Sequence, residues 1–401
     1  MPRATKKTNS TKAKECELTV KPSVLEENLK LLYAAVNIGS LDRLNIEVGN
    51  SKSIFYVGGD VCIKISHKAA KSLRHPLVQV SCKQLRDYAL KLDKSPHKLR
   101  LAAEEITLSN QKQSYQYSLC SYQDVIPQNE AEFTPCAKVN IKEFQAALKI
   151  VADFTDTDAK NVTSGVHFQI KPQLDPDAET NDHSLIVTLT GVSNSALAQT
   201  VMSATAIDSD SIGAFEPVEF VLSKKVLSLI ASYAKDFVIA IDDETRSVQF
   251  SWGSTSQVVC STQTLKGSYP NLDEVKSQME HNDVEIELNT QELISALKRH
   301  QVSSKEVNLI IEETQCTVSQ NNDVGSGSEN LFCHNPTENK IELWLFVDYF
   351  LKVLDLIKEK TVKLKLCLET DQGDDDAASN HVLIQEQSNF FCLAQLVETN
   401  D

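Results

Sequence analysis

The chain lacks the signatures of the common catalytic designs. No Walker A, Gly-x-Ser-x-Gly, His-Glu-x-x-His or Gly-x-Gly-x-x-Gly pattern occurs in its 401 residues. Phosphate cradles, nucleophile elbows, zincin sites and dinucleotide folds therefore have no sequence support. No apolar run reaches the roughly 18 residues that span a bilayer, and the first residues lack the apolar core of a secretory signal. The ten cysteines are scattered at 16, 62, 82, 120, 136, 260, 316, 333, 367 and 392, without one Cys-x-x-Cys pair. Most sit inside strand-like apolar runs, as Cys260 and Cys392 do, which reads as buried reduced thiols and not as a disulfide framework or zinc site. Asp371–Asp376 lacks the spacing and terminal glutamate of a calcium loop and reads as a solvated hairpin loop. Asn161–Thr163 matches a glycosylation acceptor, which carries weight only in a secreted chain. The expectation is a cytoplasmic, non-membrane protein with no cofactor, no metal and no catalytic residues.

Acid predominates. The net charge is −15 in a chain of 41% hydrophobic and 24% charged residues. Residues 1–14 oppose the trend with Arg3, Lys6, Lys7, Lys12, Lys14 and no acid, so the remainder is more acidic still. Such a balance opposes a protein that coats nucleic acid with its whole surface, and does not oppose one with a small basic surface inside an acidic shell.

What is present is a repeat. Six times an alternating strand runs directly into an amphipathic helix, the period switching from two to 3.6 at the junction. The strands are 17–22, 77–80, 136–141, 218–222, 284–288 and 341–345. The helices are 24–36, 81–90, 142–151, 223–230, 290–298 and 347–357. Ser81, Ser223, Asn289 and Thr290 are candidate caps. Short strands follow each junction, including 98–101, 105–108, 114–119, 237–241, 247–250, 257–261, 362–366, 382–385 and 390–394. Asn321–Ser328, with its Gly and Ser, reads as a mobile loop. The repeat predicts an α+β chain of hairpin-linked antiparallel sheets with two helices per domain. The division is a disordered basic tail at 1–14 and domains at 15–130, 131–280 and 281–401, with polar boundaries at 128–134 and 276–282.

Certain stretches resemble the beta subunit of bacterial DNA polymerase III, the sliding clamp. Phe220–Ile230 running on to Leu265–Val275 is the strongest, and Lys266-Gly-Ser-Tyr-Pro270 fits the family's Asp-Gly-x-Phe/Tyr-Pro turn. Val347–Ile357 is similar to a helix of the family's third domain, with Tyr349 on its tyrosine, and Phe390–Leu396 to its closing strand. The resemblance covers roughly residues 136–396. Departures are plain: Thr190–Leu197 is a lengthened turn without the family's histidine and arginine. Glu274 replaces a base, Leu396–Asp401 replaces the methionine–arginine–leucine end, and the first domain has no Arg-Pro-x-x-Pro segment.

The resemblance implies three repeated clamp domains with sheets outside and helices inside, closed head to tail into a homodimeric ring. Such a ring would be a processivity factor: a non-catalytic accessory subunit that encircles double-stranded DNA without reading sequence. It would tether DNA polymerase, clamp loader subunits and other DNA-processing proteins. DNA-facing candidates on the helices are Lys30, Lys83, Arg86, Lys91, Lys142, Lys149, Lys224, Lys225, Lys298, Arg299, Lys352 and Lys358. Peptide-groove candidates are Thr190, Leu197, Pro270, Val275, Tyr349, Val382, Ile384, Cys392, Leu393 and Leu396. Strand edges at Ser114–Leu119 and Glu329–Cys333 are candidates for joining two chains. The alternative is a repeat-built protein-interaction scaffold that does not bind DNA.

Overall fold

The structure, a computed structural model, describes residues 16–49, 52–68, 75–92, 95–102, 105–120, 132–173, 184–207, 215–242, 244–254, 256–270, 284–323, 325–336, 340–367, 381–386 and 389–394. The basic tail at 1–14, the acidic stretch Asp371–Asp376 and the boundary 276–282 lie outside the described residues, as does most of 128–134.

All six expected junctions are present. Strand β1 (Cys16–Val20) feeds helix α1 (Pro22–Val36), and β5 (His75–Val80) feeds α2 (Cys82–Ala89). Likewise β9 (Thr134–Val139) feeds α3 (Ile141–Val151) and β13 (Val218–Ser223) feeds α4 (Lys224–Tyr233). Finally β17 (Val284–Asn289) feeds α5 (Thr290–His300) and β21 (Ile341–Phe346) feeds α6 (Val347–Leu354). The reasons are local. Ser81 Oγ accepts from the Gln84 amide at 3.2 Å, and Asn289 Oδ1 accepts from Gln291 and Glu292 amides at 3.0 and 3.1 Å. Each side chain satisfies donors that a helix start leaves orphaned. Leu25, Leu29 and Leu32 recur at helical spacing on α1 and are essentially sealed. Each such burial is worth roughly 1.5–3 kcal/mol.

Three departures from expectation have a local physical cause. Pro22 begins α1 instead of ending the strand, because its preset φ and missing N–H suit the first helical position. Helix α6 stops at Leu354 and not at Ile357, with Asp355 as its C-cap. Asn321–Ser328 is no loop: β19 (Gln315–Asn322) and β20 (Gly325–His334) pair through Asn322↔Gly325, Asn321↔Ser326, Gln320↔Gly327 and Ser319↔Ser328. Backbone ladder bonds outweigh the weak strand preference of Gly and Ser there.

The described chain packs as two compact units. The first holds residues 1–141, 206–208 and 225–264, the second 142–205, 209–224 and 265–401. In the first unit, a four-stranded antiparallel sheet runs β1, β6 (His97–Leu101), β7 (Glu105–Ser109), β8 (Ser114–Ser118). An eight-stranded antiparallel sheet begins β5, β2 (Leu44–Val48), β3 (Lys52–Val57), β4 (Val61–Lys68). It continues β16 (Ser256–Gln263), β15 (Ser247–Trp252), β14 (Phe237–Asp242), β9.

The second unit repeats the plan. Its eight-stranded sheet runs β13, β10 (Gly165–Pro172), β11 (Ser184–Val192), β12 (Ala196–Ala206), then β24 (Asn389–Ala394), β23 (His381–Glu386), β22 (Thr361–Cys367), β17. Its four-stranded sheet runs β21, β18 (Glu306–Ile311), β19, β20. The strand that feeds a helix stands at one end of each four-strand set. The eight-stranded sheets are two such sets fused at their other ends, β4 to β16 and β12 to β24.

Among the described residues, Cys16, Cys82, Cys260, Cys316, Cys333 and Cys392 are buried free thiols, in line with the core reading. Burial pushes the thiols of Cys82 and Cys316 up to about 12. No helix among these residues is long and apolar enough to cross a membrane.

Candidate peptide groove and basic helix faces

Four neighbouring strands of the second unit, β11, β12, β24 and β23, carry most of the groove candidates. Side chains alternate between the faces of a strand, so register decides which of them meet. Across the fused joint Leu197 lies opposite Cys392, and Cys392 opposite Leu383. These three are buried together, with Val192 and Phe390 packed against them. Thr190 pairs with Gln199 on this same face, and Gln199 Nε2 donates to Thr190 Oγ1 at 3.0 Å.

The opposite face is different. Leu393 is opposite Val382 and Ala196, and Phe391 opposite Ile384 and Ala198. The Phe154 ring lies 5.9 Å from both the Phe391 and the Tyr349 rings, so the helical layer covers this side. Gly191 belongs here too: a Cβ on it would sit 2.2 Å from the Val151 carbonyl oxygen, which is how closely the end of α3 approaches. Val382, Ile384 and Leu393 are 0%, 1% and 2% exposed.

The ten groove candidates therefore separate. Thr190, Leu197 and Cys392 share one face. Val382, Ile384 and Leu393 lie in the core beneath the other, and Tyr349 is half-buried against Phe154 on that side. Val275 and Leu396 lie outside the described residues. Pro270 is exposed and follows Tyr269, whose hydroxyl donates to the Thr190 carbonyl at 3.1 Å. Sequence reasoning missed Leu383, Val192, Phe390, Gln199 and Tyr269. An available signal was parity: Leu383 alternates with Val382 and Ile384, so all three cannot share one surface.

The basic candidates all lie on or just after helices. Lys30, Lys83, Lys91, Lys142, Lys149, Lys225, Lys298, Arg299, Lys352 and Lys358 are exposed. Several are engaged. Arg86 pairs with Asp87 and lies 3.8 Å over the Tyr33 ring, and Lys224 meets Asp153 at 3.1 Å. Lys298 approaches Asp355 at 3.8 Å, and Arg299 grips Glu329 with two nitrogens. Lys352 lies over the Tyr349 ring and donates to the Asp153 carbonyl. Lys30, Lys83 and Lys149 have no ion-pair partner among the described residues. Basic residues outnumber acids on α2, α3, α4 and α5, against the acidity of the chain, whereas α1 carries Glu26 and Glu27 beside Lys30. No cluster of possible metal ligands occurs among the described residues.

This architecture is the fold of the DNA sliding clamps. The particular proteins it is similar to are bacterial DNA polymerase III beta subunits. The Pseudomonas aeruginosa subunit superposes with a TM-score of 0.75 at 13% identity, over 95% of this chain and 100% of that one. The Bartonella birtlesii clamp bound to griselimycin gives 0.74 at 18% identity, over 96% and 100%. The Helicobacter pylori clamp bound to a DNA ligase peptide gives 0.70 at 15% identity, over 95% and 100%. No protein-family model matches the sequence, and no curated protein does. At these identities the likeness establishes the fold; function has to be argued from the surfaces.

Proposed function

We propose that the chain is a non-catalytic sliding clamp, two copies of which close a ring around double-stranded DNA and hold DNA-processing enzymes there. The observation that carries this reading is an unfinished pattern of strand edges. Each eight-stranded sheet fuses the four middle strands of one repeat to the first and last three strands of the next. Two half-sheets are left over. Their outer strands, β8 and β20, are the equivalents of those fused elsewhere. Among the described residues β8 pairs only with β7, and β20 pairs only with β19 apart from its last two residues, which touch β17. Joining β20 of one copy to β8 of a second repeats the internal rule. Doing so twice gives a closed two-fold assembly of six repeats, at residues 15–130, 131–280 and 281–401 of each chain.

Retention by closure needs few contacts. Exposed lysines such as Lys30, Lys83 and Lys149 would attract phosphates without reading bases, and the acidic remainder would discourage coating. The ion-paired Arg86, Lys224, Lys298 and Arg299 would contribute less. The face bearing Thr190, Leu197, Leu383 and Cys392 would take an apolar side chain of an extended peptide, as would suit polymerase and clamp loader subunits. Clamps bound to a ligase peptide and to griselimycin support that reading.

Mass in solution with class-averaged electron micrographs tests it. A particle of twice 44.5 kDa with a central opening is expected. A strictly monomeric chain at high concentration would overturn it.

A further inference from the structure

The segment 265–270 crosses the same face of the sheet that bears the groove floor, and its attachment is unusual. The Tyr269 ring stacks on His167 at 4.8 Å with the planes 16° apart. The Tyr269 hydroxyl donates to the Thr190 carbonyl, and the Val192 backbone is a second hydrogen-bonding neighbour. Upstream, the Leu265 amide donates to the Val221 carbonyl at 2.9 Å. His167 stands opposite both Thr190 and Val221 in register, so its ring rises between the floor and the strand that tethers the segment. It is 9% exposed, and its Nδ1 has no hydrogen-bond partner. Pro270, the groove's exposed wall, is one residue from this attachment.

We infer that Tyr269 and His167 are positioning residues of the groove: together they latch Pro270 over the Thr190–Leu197–Cys392 floor, and protonation of His167 loosens that latch. The inference rests on the groove reading above. The groups facing His167 are few. Glu219 on β13 has Oε2 3.6 Å from Nε2, Lys171 lies on the same strand, and the Tyr269 ring covers one side. Burial lowers the imidazole below its ordinary value, with Lys171 adding to this and Glu219 opposing it. Since the latched state resists the proton, its stability is complete at neutral pH. It declines as pH falls below about 6.5, where a released imidazole would protonate.

The test uses the full chain and griselimycin as probe, with affinity measured at pH 7.5 and 5.5 and amide exchange of the 265–269 segment measured alongside. Tyr269→Phe keeps the stack and removes the hydroxyl's hydrogen bonds to the Thr190 carbonyl and the Val192 backbone. We expect binding about 5-fold weaker at pH 7.5 and faster exchange in the segment, with little change in the unfolding temperature. Wild-type affinity should fall several-fold at pH 5.5. His167→Phe retains a ring under Tyr269 but cannot take up a proton, so its affinity, whatever its level at pH 7.5, should be the same at pH 5.5; His167→Ala should bind weakly at both. Absence of wild-type binding at either pH would overturn the groove reading itself. Wild-type binding with exchange and affinity unchanged in Tyr269→Phe, or a pH profile that persists in His167→Phe, would overturn the latch alone.

Discussion

Replacing Ile384 by alanine separates the two faces of the fused sheet. Ile384 is 1% exposed, lies opposite Phe391 on β24, and shares its face with the short side chain of Ala198. Ala198 cannot reach into a hole left beside Phe391, and the rings of Phe154 and Phe391 are already held against one another. Collapse is therefore limited, and a loss of about 3 kcal/mol follows, within the usual span for such truncations. Divided by an m-value of about 2 kcal/mol/M, that moves the urea midpoint of the second unit down by about 1.5 M. The two tryptophans make this readable: Trp252 lies in the first unit and Trp344 in the second. In a Trp252→Phe background, fluorescence of Trp344 reports the second unit alone. Griselimycin affinity, measured where the variant is folded, should be unchanged. Phe390→Ala, from the half-buried opposite face, should do the reverse, moving the midpoint little and weakening binding. An Ile384→Ala protein of wild-type stability that no longer binds would refute the division into core and groove faces.

Other consequences are simpler. Asn289→Ala removes the acceptor of two amide donors at the start of α5 and should destabilise the second unit by about 1 kcal/mol in urea titrations, with Asn289→Asp close to the wild type. Gly191→Ala would drive a methyl group into the Val151 carbonyl, so its unfolding temperature should drop at least as far as that of Ile384→Ala. Arg299 holds the Glu329 carboxyl below its ordinary value. The stabilisation from this pair is thus present above about pH 4.5 and fades as pH falls below it; Glu329→Gln should flatten that part of the stability profile by less than about 1 kcal/mol. Iodoacetamide at pH 8 should label half-buried Cys62, Cys120 and Cys136 well before buried Cys82 and Cys316, as mass mapping would show.

The repeat was readable because each junction carries its own chemistry. An alternating strand such as Val284–Asn289 ends on a capping side chain and passes into a helix with leucines at helical spacing, all within some fifteen residues. Groove membership was not readable in the same way. Val382, Leu383 and Ile384 are consecutive and apolar, as are Phe391, Cys392 and Leu393, and all six are buried whichever face they lie on. Where polarity does not alternate, only the register with β12 tells which residue belongs to which side. The His167–Tyr269 stack joins positions far apart in the chain and has no local signature. The β19–β20 hairpin was obscured by composition: Gly325-Ser-Gly-Ser328 reads as a turn, but the strand is held by its ladder to β19.

If the proposed ring holds DNA by enclosing it, opening the circle must let the DNA escape. The most direct measurement is retention on nicked circular duplex after incubation with a clamp loader, followed by cutting the circle. Salt-resistant retention on the closed circle and prompt release from the linear product are expected. Equal release from both forms, or equal retention on both, would contradict enclosure.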